Sequence, residues 1–333
     1  MASSKNKDSA PMPLAKAIEA TPLDSHTYAV NLQQCFCIGT VPNGGYSATT
    51  LLQAAHLHLS PRKQPDTVTV HFEFVNPTEV GPAIIVVEEV KLGRTLSVLH
   101  VTLYQRGLLS HSPWITPGTS RKEIVAYVTN GNIASEQGVS VPTSFLPLTP
   151  PTSPVVNLSL LPAGKDPVWH RMPLPEGPFG KIRSLENMEY FVPRAGQPQP
   201  DRIDLWMRLA SGGRFTNAAL AYVVDAWPYI IEQYRPKNPG EKEPYGYDQA
   251  FWYPTVALNI EVKKALPPGG VEWLFIRERA KMVRNGRFDI EVVVLDAEGE
   301  LVALASHVAM IVDSARNLGR AKGGGKGKEK GKL

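Results

Sequence analysis

The stretch TVTVHFEFVNPTEVG, Thr67–Gly81, aligns without a gap against TVALNIEVKKALPPG, Thr255–Gly269. Both begin Thr-Val, alternate apolar with polar residues, place a glutamate seventh (Glu73 and Glu261) and run into a glycine turn. Alternation puts every second side chain on one face, so each copy reads as a half-buried strand. One such match would carry little weight alone, but the surroundings repeat in the same order. A Gly-Gly pair opens a helix-like segment ahead of each strand, in NGGYSATTLLQAAHLHL (Asn43–Leu59) and in SGGRFTNAALAYVVDAWPYIIEQY (Ser211–Tyr234). Strand-like runs follow each copy: AIIVVEEVKLG, RTLSVLHVTLYQRG and LLSHSPWI in the first, VEWLFIRERAKMVRNG, RFDIEVVVLDAEG and ELVALASHVAMIV in the second. Others lead in, HTYAVNLQQCFCIG to one and ENMEYFVPRAG with RIDLWMRLA to the other. Strand, long helix and several antiparallel strands, present twice, describe an α+β chain built by duplication.

Proline, glycine and serine punctuation sets the boundaries. Residues 1–20 read as a loose leader, 21–115 as the first unit and 116–180 as a Pro/Ser-rich linker laid over a surface. Residues 181–318 form the second unit, and 319–333 read as a disordered basic tail. At 333 residues, 43% hydrophobic and 20% charged, the composition is that of a soluble protein with a sizeable core. No run approaches the roughly 18 apolar residues of a membrane span, and MASSKNKDSAPMP has no apolar signal core. The formal charge is +4, but Arg320–Leu333 holds six basic residues against one acid, leaving the rest close to −1. Basicity confined to a Gly/Lys appendage without aromatic residues argues against nucleic-acid binding. Cys35 and Cys37 alone make a poor metal site and are poorly placed to pair with each other. His56 and His58 stand two apart on a helix and so on different faces, which gives no metal site there.

One helix cradled by an antiparallel sheet, twice in one chain, resembles the double hot-dog fold. In that fold two antiparallel sheets, each wrapped around a long helix, are related by a pseudo-twofold repeat. The chain is similar to the acyl-CoA thioesterase II type and its thioesterase-like relatives over roughly residues 21–115 and 181–313. The resemblance rests on GTVPNGGYSATTLLQAA, VNPTEVG and KLGRTLSVLHVTLYQRG in the first half and LWMRLASGGRFTNAALAYVVDAWP in the second. It implies an acyl-CoA or carrier-bound acyl thioester substrate, hydrolysed without cofactor or metal. It also implies an Asp on the second helix, a Ser or Thr on the next strand and a Gln on the last, together holding a water. The Asp corresponds to Asp225 and the hydroxyl to Thr255, although the Asp-His-Ser segment that follows in the family is absent here. In LVALASHVAMIV, His307 stands where Gln is expected.

Thioester hydrolysis needs a base for the attacking water, a way to place that water, and stabilisation of the developing oxyanion. A carboxylate desolvated by Leu220, Tyr222, Val223 and Val224 is the stronger base. Thr255 offers one donor and two acceptor sites, and His307 a ring that donates or accepts. Unsatisfied amides at helix starts suit an oxyanion, with Gly44, Gly45, Gly212 and Gly213 as candidates. Pro228 interrupts the helix just past Asp225, which would leave the acid at a break in packing.

Each residue also has a plainer role. Asp225 could end a helix, Thr255 suits any strand, His307 alternates with apolar neighbours, and the glycine pairs could serve tight packing. Tyr245, Tyr247, Phe251, Trp252 and Tyr253 either line an acyl channel or pack together. Two other functions share the fold: dehydratase or hydratase chemistry on a carrier-bound acyl chain through His307 and Asp225, and non-catalytic acyl-thioester binding. The terminal Gly-Lys-Leu is a weak relative of the Ser-Lys-Leu peroxisomal address, leaving cytoplasm and peroxisome both open. Further homo-oligomerisation through sheet edges is an open expectation.

Overall fold

The computed structural model describes residues 11–145, 156–174, 176–177, 180–227 and 229–318. The first half of the expected leader, part of the Pro-rich stretch, Pro228 and the basic tail with its Gly-Lys-Leu terminus lie outside them.

The frame is built from strands β1 (Thr27–Leu32), β2 (Asp66–Phe74), β3 (Gly81–Leu92), β4 (Ser97–Gln105) and β5 (Arg121–Gly131) in the first half. The second half supplies β6 (Arg202–Leu209), β7 (Thr255–Val262), β8 (Leu274–Arg284), β9 (Arg287–Leu295) and β10 (Leu301–Met310). All lie in one 13-stranded sheet in the order β1-β3-β4-β5-β2-β7-β10-β9-β8-β6. The short strand Thr21–Pro22 extends one edge, and Met188–Pro193 with Trp169–Arg171 extend the other. From either end the order reads first, third, fourth, fifth, second strand of a half.

The duplicated stretches meet at the centre of this order. β2 pairs antiparallel with β7, Phe72 opposite Leu258 and Val70 opposite Ile260. His71 and Asn259, fifth in their respective copies, face each other with His71 Nδ1 2.7 Å from Asn259 Oδ1. The alternation read from sequence is real: Val70, Phe72, Leu258 and Ile260 are buried, while His71, Glu73, Asn259 and Glu261 sit on the wetter face. Two strand edges that would otherwise expose unpaired backbone groups satisfy one another here.

This corrects the expectation of two sheets, each around a long helix. The sheet is continuous, and only one long helix is present among the described residues, α1 (Gly44–Leu59), buried on most of its faces. Its counterpart is α2 (Leu220–Val224), one turn preceded by a 3-10 turn at Asn217–Ala219. The residues expected to open that second helix are held extended instead. Phe215 and Val271 exchange backbone bonds of 2.8 and 2.9 Å, and Asn217 Oδ1 accepts the Leu266 N–H at 2.7 Å. At the other end the chain leaves the helix at Asp225, with φ −106° and ψ 10°.

The linker expectation over 116–180 is corrected as well. Arg121–Gly131 is β5, between β4 and β2, so the first half's sheet runs well beyond residue 115. LLSHSPWI is a turn closed by a single bridge, Leu108 to Ile115, rather than a strand. Its Ser-His-Ser-Pro centre offers no alternating apolar face to bury. Farther on, Leu161 and Trp169 pack with Phe191, Trp206, Phe275 and Leu295, covering a second apolar face. Nor is the described part of the leader loose: Leu14, Ala17, Ile18 and Ala20 are buried in the main core.

Candidate active site

Asp225 ends α2 at 3% exposure, and its carboxylate is gripped by the first half of the chain. Oδ2 accepts the Gly45 N–H at 2.6 Å and the Asn43 amide Nδ2 at 3.3 Å. Asn43 Nδ2 also donates to the Asp225 backbone carbonyl at 3.2 Å. Oδ1 accepts the Thr255 hydroxyl at 3.0 Å, and His307 Nδ1 stands 3.5 Å away. The acid therefore sits on the N-terminal end of α1, where free amides and the positive end of the helix dipole stabilise an anion.

Local structure explains each partner. Asn43 is the N-cap of α1: its Oδ1 accepts the Tyr46 N–H at 2.8 Å, leaving Nδ2 for Asp225. Thr255 opens β7, where the pairing with β10 slips between Thr255 and Ala257. This bulge re-aims Thr255 from the sheet toward Asp225. The other copy slips at the same place, between Thr67 and Thr69. His307 lies on β10 opposite Leu258, where the first half has Val128 opposite Val70. The first half thus keeps the bulge and the Thr but has no acid on its helix and no imidazole on its strand.

The glycines divide sharply. A Cβ on Gly45 would lie 2.4 Å from the Ala221 carbonyl oxygen and 2.6 Å from Asp225 Cβ. Gly45 is therefore required where α1 meets α2, and its amide is already given to Asp225 rather than to a ligand. Gly44 lines the adjoining cleft; as the first helical residue its amide has no acceptor within the helix. Gly212 and Gly213 do not join the site: they occupy a turn after β6, and neither lines the cleft. Asn43 is the residue the motif reading missed, although Asn directly before a helix is a capping signal.

The cleft runs from Asp225 and Thr255 past Asn43, Gly44 and Phe74 to Trp252 and Tyr253. Of the aromatic cluster, Trp252 and Tyr253 line it, whereas Tyr245 packs edge-on against Phe251 with ring centres 5.0 Å apart. Tyr247 lies on the surface. His307 is 2% exposed, does not line the cleft, and has no hydrogen-bond partner at either ring nitrogen. Two more buried polar atoms near the acid are unpartnered, Tyr229 Oη and Glu278 Oε2. Burial, then the Asp225 charge, pushes the Glu278 carboxyl well above the ordinary carboxylate range. Burial raises the Tyr229 phenol too, with Asp225 and Glu232 adding to it.

The fold and site define a class: hot-dog proteins in which a buried carboxylate, presented by one half and held by the other, faces a cleft. The family follows from comparison with known proteins. Residues 32–131 match the acyl-CoA thioesterase N-terminal domain and residues 162–311 the acyl-CoA thioesterase C-terminal domain. The chain is 45% identical to the thioesterase-like protein TwmA of Talaromyces wortmannii, over 94% of this chain and 95% of that one. It belongs to the acyl-CoA thioesterase family, whose members are thioester hydrolases. Two solved structures share the fold. A candidate thioesterase II from Thermobifida fusca matches with TM-score 0.66 and 23% identity, over 91% of this chain and 99% of that one. The acyl-CoA thioesterase II TesB2 of Mycobacterium marinum matches with TM-score 0.61 and 16% identity, over 91% and 99%. In the described residues no helix is long and apolar enough to cross a membrane.

Proposed function

We propose that this protein hydrolyses acyl thioesters, of CoA or of a carrier, by a water that Asp225 activates, on a duplicated hot-dog scaffold joined through one continuous sheet and carrying one working site. The observation that carries the reading is the Asp225 carboxylate itself, buried, held by Gly45, Asn43 and Thr255, and opening on a cleft. A water bonded to Oδ1 and steered by the Thr255 hydroxyl attacks the carbonyl carbon as Asp225 takes its proton. The oxygen left negative on the tetrahedral intermediate is accommodated by the Gly44 amide. Collapse breaks the carbon–sulfur bond, and the proton passes from Asp225 to the departing thiolate, giving a carboxylic acid and a thiol. His307 stands behind the carboxylate. Shortening its 3.5 Å approach to a hydrogen bond would orient Oδ1 during the proton transfer.

The mirrored strand order supports the pseudo-twofold scaffold, and the missing acid in the first half supports a single site. The position of His307 weighs against the dehydratase reading, which needs an imidazole against the acyl chain. The test is a thiol-release screen over acyl-CoA chain lengths, with product analysis on an enoyl thioester. Release of free thiol with a carboxylic acid product is expected. Hydration of the double bond with the thioester intact, or tight binding without thiol release, would overturn the proposal.

A further inference from the structure

At the opposite end of α1 from Asp225, His58 meets two residues that its helix does not supply. Its Nε2 lies 3.0 Å from Glu89 Oε1, and His26 Nε2 lies 3.6 Å from the same oxygen. The three donor atoms all fall within 4.8 Å of one another. In a tetrahedral zinc site with bonds of about 2.0–2.1 Å, ligand atoms are roughly 3.3–3.4 Å apart. The His58–Glu89 and His26–Glu89 separations, 3.0 and 3.6 Å, bracket that spacing.

The orientation of the rings points the same way. His58 Nδ1 bonds the Tyr28 hydroxyl at 3.2 Å, and His26 Nδ1 bonds the Ser25 hydroxyl at 2.7 Å. In each ring the far nitrogen is thereby tied to a hydroxyl and Nε2 is turned toward the shared carboxylate, the arrangement that orients histidine ligands in metal sites. The His58 side chain is 6% exposed, whereas those of His26 and Glu89 are 47% and 34% exposed. One ligand is therefore fixed in the wall and two are reachable from solvent. His56 takes no part, since its Nδ1 is bonded to the Pro65 carbonyl at 3.0 Å. The partners of His58 come instead from the segment before β1 and from β3, which spacing along the helix does not reveal.

We propose that His26, His58 and Glu89 form a binding site for a divalent transition metal of the zinc type, with three protein ligands and a solvent-filled fourth position. Two imidazoles and one carboxylate match the nitrogen and oxygen preference of that ion. The bound ion would fasten the C-terminal turn of α1 to β3 and to the chain entering β1. From Gly45 to His58 the helix spans roughly 20 Å, so the site is separate from Asp225.

The test uses the full-length protein without an affinity tag. Zn2+ binding is measured by competition with a chromophoric chelator, and Co2+ is added separately for its visible spectrum. The wild type should bind one Zn2+ and give the intense visible bands of tetrahedral Co2+. His26→Ala and Glu89→Gln, both at exposed side chains, should abolish that binding and those bands, with thiol release kept within about twofold of wild type. Tyr28→Phe should weaken Zn2+ binding by about 10–100-fold. Failure of the wild type to bind Zn2+ stoichiometrically, or undiminished binding in both ligand variants, would overturn the proposal.

Discussion

Replacing Gly45 with alanine sets two physical effects against each other. Gly45 is the second residue of α1, where alanine is favoured over glycine by at most the about 1 kcal/mol of a helix interior, so propensity alone predicts a more stable protein. The packing predicts the reverse. The new methyl would lie 2.4 Å from the Ala221 carbonyl oxygen and 2.6 Å from Asp225 Cβ, and neither is the far end of a flexible side chain. Relief requires α1 and α2 to part by roughly 1 Å, and overpacking of this kind costs about 1–3 kcal/mol or more. Taking the upper end and subtracting the propensity gain, Gly45→Ala should destabilise by about 2 kcal/mol. It should also stretch the 2.6 Å bond from Gly45 to Asp225 out of hydrogen-bond range. Displacement of a catalytic group by about 1 Å costs up to about 100-fold in rate. Urea titration reads the first effect and thiol release by the folded variant reads the second. A variant as stable as the wild type, with turnover kept, would refute the packing argument and return Gly45 to the ligand-approach role suggested by the sequence.

Asn43→Ala removes the N-cap of α1 and one donor to Asp225. It should cost about 1 kcal/mol in denaturant titration and lower turnover more than KM changes, whereas an unchanged turnover would exclude Asn43 from holding the acid. Thr255→Ser should keep most activity and Thr255→Val should lose it, because the valine lacks the hydroxyl bonded to Asp225 at 3.0 Å; equal activities would remove Thr255 from the site. For Glu278 the sign follows from its raised value. Above the ordinary 4.5 the unfolded chain loses a proton that the buried carboxyl retains, so the group's contribution to stability falls as pH rises toward its native value. Glu278→Gln should remove that slope, so the variant's Tm should gain on wild type as pH rises above the ordinary carboxylate range; a pH-independent difference would contradict the raised value.

The duplicated strand was legible because a period of two survives in sequence whatever the strand pairs with. Helix α1 was legible because the Gly44-Gly45 pair opens a long, mostly apolar run. The second helix misled, since LAYVV is as apolar as a long buried helix would be. The contacts that keep it to one turn, Phe215 with Val271 and Asn217 with Leu266, lie about 50 residues away in sequence. β5 was missed because the alternating KEIVAYVTN abuts Pro- and Ser-rich sequence that drew attention to itself. At the site, the helix end carrying Asp225 and the strand start carrying Thr255 were readable. The grip of Asn43 and Gly45 on the acid was not, because it joins groups about 180 residues apart through a fold-level contact. The metal cluster escaped for a related reason: ligand spacing along one helix says nothing about side chains that neighbouring strands bring to it.

Removing the Asp225 charge while keeping its shape tests whether this carboxylate is the base. Asn at 225 keeps the shape: its carbonyl oxygen can accept the Gly45 amide while its NH2 faces the Thr255 oxygen, so the fold should persist with the base removed. Thiol release from the best acyl-CoA substrate, measured for a folded Asp225→Asn variant, should fall by about 10²–10⁴-fold, the range expected for loss of a general base. Turnover within about threefold of the wild type would rule out Asp225 as the base.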